Sequence, residues 1–241
     1  MRYSKVKLMV WLGMALAPFF AQGQVTFTVN ATVNSTGGGF TAGEAVSFTF
    51  TLAQSASNTG SASAATGGTD YKWEDDLTTD PILWSNVTAT PFTGTYVRPT
   101  DTLNSPEMRI QVTNAGDLIL LASSEDYVES MGLSYGGNAG TWIFIQARYT
   151  GLSFDTSNGT LPDATTYFSA LTGTYSYQAE SVSENTSFYY DGGSDIYITP
   201  TSLTIAYTAV PEPSTYAAIA GVVILFGTIA YRRRQAAPTL A

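Results

Sequence analysis

The chain has 241 residues, only 12% of them charged, with 10 Lys and Arg against 19 Asp and Glu for a net charge of −9. It has no Cys and no His, which removes disulfides, thiol nucleophiles, the Ser-His-Asp triad, the commonest general base and most zinc sites together. Six of the ten cations sit at the ends, at Arg2, Lys5, Lys7, Arg232, Arg233 and Arg234, so the acidic middle repels phosphate backbones and is not expected to bind nucleic acid.

The first segment, MRYSKVKLMVWLGMALAPFFAQG, joins a basic start to an apolar stretch from Leu8 to Phe20. Ala21 and Gly23 then place small residues at the −3 and −1 positions of a cleavage site. This pattern predicts a secretory signal peptide over residues 1–23, with Gln24 as the first mature residue. An uncleaved anchor is the alternative, but the apolar stretch is short for a span of about 20 residues.

From Gln24 onward the hydrophobic period is two. In QVTFTVNATV, Val25, Phe27, Val29, Ala31 and Val33 share one face and threonines fill the other. AVSFTFTLA repeats this with Val46, Phe48, Phe50 and Leu52. Further strands are predicted in PILWSNVTAT, EMRIQV, DLILLA, TWIFIQARY, TGTYSYQ, SFYY, DIYI and SLTIAYTAV. Turn formers separate them: Gly37-Gly38-Gly39, Asn114 to Asp117, Gly136-Gly137-Asn138, Asn158-Gly159 and Asp191-Gly192-Gly193. About ten short strands with turns between them predict an all-β domain over 24–209. A single antiparallel β-sandwich of jelly-roll type is expected, with a closed barrel as the second choice. One short helix is expected near Pro162–Leu171.

QSASNTGSASAATGGTD, residues 54–70, is a Ser/Ala/Gly/Thr tract with too little apolar surface to order itself. It reads as a flexible loop inside the one domain.

The densest acidic cluster is Asp70, Glu74, Asp75, Asp76 and Asp80. Carboxylates so spaced on a loop could hold calcium, but the order matches no EF-hand, and a solvated acidic loop is the preferred reading. DGGSD, with Asp191 and Asp195, reads as a turn before a metal loop. The stretch from Asp155 to Asp163 is weaker still. No cofactor or structural metal is therefore expected, with calcium left as an open alternative.

A glycosidase would need two carboxylates about 5 to 10 Å apart across a cleft, and some pair meets that by chance among so many. Trp73, Trp84, Trp142 and the tyrosines could stack on sugars, although in a sheet protein such rings more often pack in the core. Asn-x-Ser/Thr triplets occur at Asn30, Asn34, Asn86, Asn158 and Asn185, as they readily do in a Thr-rich chain.

The end of the chain carries more. VPEPSTYAAIAGVVILFGTIAYRRR runs from Val210 to Arg234. Its apolar run, residues 216–231, would make a helix of about 24 Å at 1.5 Å per residue, slightly under the ~30 Å hydrocarbon core. Tyr216 and Tyr231 suit the interfaces, and Arg232, Arg233 and Arg234 act as a stop-transfer brake on the cytoplasmic side. Residues 236–241 would form a short cytoplasmic tail. Before the run, Pro211, Glu212 and Pro213 cannot continue a helix and present a stiff extended peptide.

This arrangement resembles the PEP-CTERM sorting signal of Gram-negative bacterial surface proteins, over residues 210–235. The matching residues are Pro211, Glu212 and Pro213, then the apolar helix, then Arg232, Arg233 and Arg234. The resemblance implies recognition and cutting by exosortase, a membrane-embedded cysteine transpeptidase. One departure is the extension QAAPTLA after the arginines. The resemblance further implies export across the inner membrane, display at the cell surface or in the extracellular matrix, and an association with exopolysaccharide and biofilm. It implies no catalytic activity, and the chain is expected not to be an enzyme. A carbohydrate-binding, lectin-like module is the alternative reading, and a secreted glycoside hydrolase a weaker one.

Overall fold

The computed structural model describes residues 22–53, 60–65, 68–74, 83–97, 108–123, 131–179, 187–190, 195–210 and 221–229. One compact unit runs from Gln24 to Thr208; a second takes in Met1–Gly23 and Ala209–Ala241.

The described strands of the compact unit pair antiparallel. Strands β1 (Gln22–Val33) and β2 (Ala45–Leu52) form the first pair, with Phe27 opposite Phe50 and Val29 opposite Phe48. The alternation seen in the sequence is the burial pattern: all five apolar positions of β1 and all four of β2 are buried. On the outer face Thr28 and Thr49 bring their hydroxyls to 3.2 Å. Next come β3 (Gly60–Ala65), β4 (Gly68–Glu74), β5 (Trp84–Thr90) and the two-residue β6 (Thr93–Gly94). They are followed by β7 (Met108–Val112), β8 (Leu118–Ser123), β9 (Leu133–Tyr135) and β10 (Asn138–Ala147). The last are β11 (Tyr149–Thr150), β12 (Gly173–Tyr177), β13 (Ser187–Tyr190) and β14 (Ile196–Val210).

The strand order is β3-β4-β7-β8-β10-β13-β14-β1-β2-β5, and β12 adds to β14. Strand β14 is the joint between two sheets. Its start pairs with β13 through Ile196 and Tyr197, and its later part pairs with β12 through residues 202–205. Between them lies Pro200, which is buried. Proline offers no ladder donor, so a strand tolerates it where partners change. The inward positions shift there from Ile196 and Ile198 to Leu203 and Ile205, a slip from even to odd numbers where the strand changes partners. The side chains of Thr199 and Thr201 tie this stretch to β1, donating to Asn34 Oδ1 at 2.8 Å and to the Asn30 carbonyl at 3.0 Å.

The buried apolar residues of both sheets form one cluster. Helix α1 (Ala164–Ser169) belongs to it. Asp163 caps the helix, its Oδ1 accepting from the Thr166 amide at 2.8 Å. Phe168 is fully buried, with ring centroids 4.9 Å from Phe27 on β1 and 5.2 Å from Trp73 on β4. The helix therefore packs against strands from both sheets. The tight β9–β10 turn has Gly136 and Gly137 at φ 58° and 88°, the conformation a two-residue hairpin needs. At the β7–β8 end, the carboxylate of buried Asp117 pairs with Arg148 Nε.

Three expectations need correction. Residues 60–65 and 68–70 are strand, not loop: β3 and β4 pair in register from Gly60 opposite Trp73 to Ala65 opposite Gly68. Backbone pairing needs no apolar side chains, and Tyr71 and Trp73, both buried, anchor the hairpin from its other strand. Residues 54–59 and 66–67 lie outside the described residues. The acidic cluster is likewise not all loop, since Asp70 and Glu74 are in β4; Asp75, Asp76 and Asp80 lie outside the described residues. Finally, DIYI and SLTIAYTAV are one strand, because β14 continues through Pro200. The helix expected near residues 162–171 is present as α1.

Candidate functional site

Asp70 Oδ1 accepts from the Asn114 amide at 2.9 Å. Glu74 pairs with Lys72 and lies 3.9 Å from Arg109 Nε. Both carboxylates thus work within the sheet. Asp155 holds a turn, its Oδ1 accepting from the Ser157 amide at 3.0 Å and the Ser157 hydroxyl at 2.6 Å. These two bonds, the side-chain one foremost, lower its pKa from the usual value. Asp163 is the helix cap. Asp195 is exposed, and Asp191 lies outside the described residues. Among the described residues no group of three or more Asp, Glu, His or Cys could hold a metal ion.

Two of the tryptophans are core residues. Trp73 and Trp84 are 0% and 1% exposed, and their indole nitrogens donate to the carbonyls of Pro162 and Leu121, each at 2.9 Å. Trp142 lies on the other side of β10, half-buried, its ring stacked at 6.1 Å on Phe144. Of the glycosylation triplets, Asn30 and Asn34 are engaged with β14: Asn30 Nδ2 donates to Ser202 Oγ at 3.0 Å, and Asn34 accepts from Thr199.

The end of the chain has a different character. Residues 206–209 of β14 are exposed, and the strand runs on to Val210. Residues 221–229 form a helix of sequence GVVILFGTI in which every residue is exposed. Val223, Ile224 and Phe226 are 65%, 69% and 66% exposed. A helix that is apolar on all sides is stable only in apolar surroundings, such as a bilayer or a protein interior. Its one hydroxyl is satisfied internally, Thr228 Oγ1 donating to the Ile224 carbonyl at 2.6 Å. Among the described residues no helix is long and apolar enough to cross a membrane. The expected span of 216–231 is described only from 221 to 229.

Pro211, Glu212, Pro213, Arg232, Arg233 and Arg234 lie outside the described residues, as do Ala21 and the rest of the expected leader up to that point. Gly23 lies within β1, which begins at Gln22.

Comparison with known families places a match on this same segment. The model of the PEP-CTERM protein-sorting motif matches residues 209–234. That span holds Pro211, Glu212 and Pro213, the described helix, and Arg232, Arg233 and Arg234. The motif indicates a surface protein that is exported, recognised by exosortase and processed. Neither the curated proteins nor the solved structures include a match to the chain.

Proposed function

We propose that this chain is made with a cleaved signal peptide over residues 1–23 and exported across the inner membrane of a Gram-negative bacterium. Residues 216–231 then hold it in the bilayer, with Arg232, Arg233 and Arg234 on the cytoplasmic side. Exosortase reads Pro211, Glu212 and Pro213 and cuts close to them. Glu212 supplies the recognised charge, and the two prolines supply an extended shape that fits an enzyme cleft without local unfolding. The observation that carries this reading is the motif match at 209–234. The apolar helix at 221–229, exposed along its length, supports it, because a bilayer is one of the apolar surroundings in which such a surface is stable.

The domain that is delivered is read as one β-sandwich of jelly-roll type. Support comes from the single core cluster fed by two antiparallel sheets and from Trp84 reaching across to Leu121. Its role is one of structure or interaction, within an exopolysaccharide or biofilm layer, without catalysis and without a cofactor. The absence of His and Cys from the whole sequence supports the non-catalytic reading. A lectin-like role is the second reading, favoured by a surface depression lined by Tyr167, Asp155 and Asn158.

Replacing Pro211 and Glu212 together by Ala tests the sorting step. Fractionated native cells should then keep a full-length form in the membrane, while the unaltered protein leaves it. Equal processing of both proteins would refute the role given to the triplet.

A further inference from the structure

Beside helix α1, a depression of about 320 Å³ opens on the surface of the compact unit. Its walls include Tyr71 from β4, Ser153, Asp155 and Asn158 from the segment after β11, and Tyr167 and Leu171 at the helix. The volume is at the low end for ligand sites, room for one sugar-sized group and no more.

The aromatic wall is held rigid. The Tyr167 ring lies 5.5 Å from Trp73, 5.2 Å from Phe168 and 5.9 Å from Tyr71, centroid to centroid. Its hydroxyl donates to the Asp155 carbonyl at 3.2 Å. The polar wall is unspent. Both bonds to the Asp155 carboxylate fall on Oδ1, which leaves Oδ2 open. The side chains of Asn158 and Ser153 are exposed and meet solvent.

Tyr71 is the informative residue. It is 1% exposed, and its hydroxyl is buried with no hydrogen-bond partner among the described residues. A buried hydroxyl left unpaired costs roughly 1–3 kcal/mol, so it marks a place where a partner is missing. Tyr71 is also one of the residues that line the depression.

We propose that the depression is a binding subsite for one neutral sugar residue of a polysaccharide. An amphipathic ring fits it. The C–H face of a pyranose packs on Tyr167 and Leu171, and its hydroxyls meet Asp155 Oδ2, the Asn158 carboxamide, Ser153 and the Tyr71 hydroxyl. The Asp155 carboxylate disfavours uronic sugars, which carry the same sign of charge. This rests on the reading above that the domain meets polysaccharide, and it gives that reading a site.

The test uses the full chain in detergent micelles, titrated with neutral hexasaccharides of β-1,4-glucan, β-1,3-glucan, α-mannan and β-galactan, and with an alginate hexasaccharide as the acidic control. Tyr71→Phe removes one oxygen and keeps the ring, so it should fold as the parent does; thermal melting checks this. Asn158→Ala is exposed and equally mild. The proposal expects binding to at least one neutral oligomer, weakened about tenfold by each substitution. Binding that both variants keep at full strength overturns the site and leaves the polysaccharide reading standing. Binding to alginate alone overturns the ligand class. No binding to any oligomer overturns both the site and the polysaccharide role, without touching the sorting reading.

Discussion

The indole nitrogen of Trp84 donates to the carbonyl oxygen of Leu121 at 2.9 Å, a buried bond between an edge strand of one sheet and an inner strand of the other. Apolar contact alone lets two sheet faces slide. A directional bond in the core fixes their offset, because the buried indole donor is left unpaired if they move. Trp84→Phe should therefore lower the unfolding free energy by about 2–3 kcal/mol, from the lost bond and the smaller ring together. Urea unfolding followed by circular dichroism reads this. An unchanged midpoint would mean that the bond does not register the sheets.

Gly94 and Gly132 cross backbone to backbone where β6 meets the segment leading into β9. A Cβ on Gly132 would stand 2.0 Å from the Thr95 carbonyl oxygen, and one on Gly94 would stand 2.0 Å from that of Gly132. Both have positive φ, +75° and +107°. Strain and overlap act together, so Gly132→Ala should cost about 3 kcal/mol or more. Gly116→Ala is the fitting control: its φ is +94°, but nothing lies within 4 Å of the added methyl. It should cost only about 1 kcal/mol. Equal losses for the two substitutions would show that contact at the crossing is unimportant.

Two tyrosines should resist alkali. Burial pushes the Tyr149 hydroxyl well above its ordinary 10.0, with Tyr177 adding to the shift. Burial does the same for Tyr167, helped by Tyr71 and then Asp155. A raised folded value means that the stabilisation is whole below pH 10 and is lost as pH climbs toward the folded values. In an absorbance titration, part of the signal from the 15 tyrosines should appear only as the domain unfolds at high pH. Tyr149→Phe and Tyr167→Phe should each shrink that late fraction. A single smooth ionisation near pH 10 in the folded protein would contradict the burial.

The strands that sequence made legible are those whose inward face is filled by large apolar residues. Val25, Phe27 and Val29 in β1, or Ile143 and Ile145 in β10, repeat at a period of two and are all buried. Strand β3 was hidden because GSASAA has no run of large apolar residues at a period of two, although its backbone pairs with β4. DIYI and SLTIAYTAV read as two strands, yet Pro200 between them sits where β14 passes from its pairing with β13 to its pairing with β12. Helix α1 was legible from its start, with Pro162 and the capping Asp163. The sorting segment is local in sequence, so it could be read without a fold. The depression could not: Tyr71 and Tyr167 come together only once β4 packs beside the helix.

The most direct test of the central claim is the intact mass of this protein recovered from its native host. Export and exosortase processing predict a chain that starts at Gln24 and ends close to Pro211-Glu212-Pro213, without the apolar helix and the arginines, whatever sugar or lipid is attached. Recovery of the unprocessed 25.6 kDa polypeptide, with both ends intact, would contradict it.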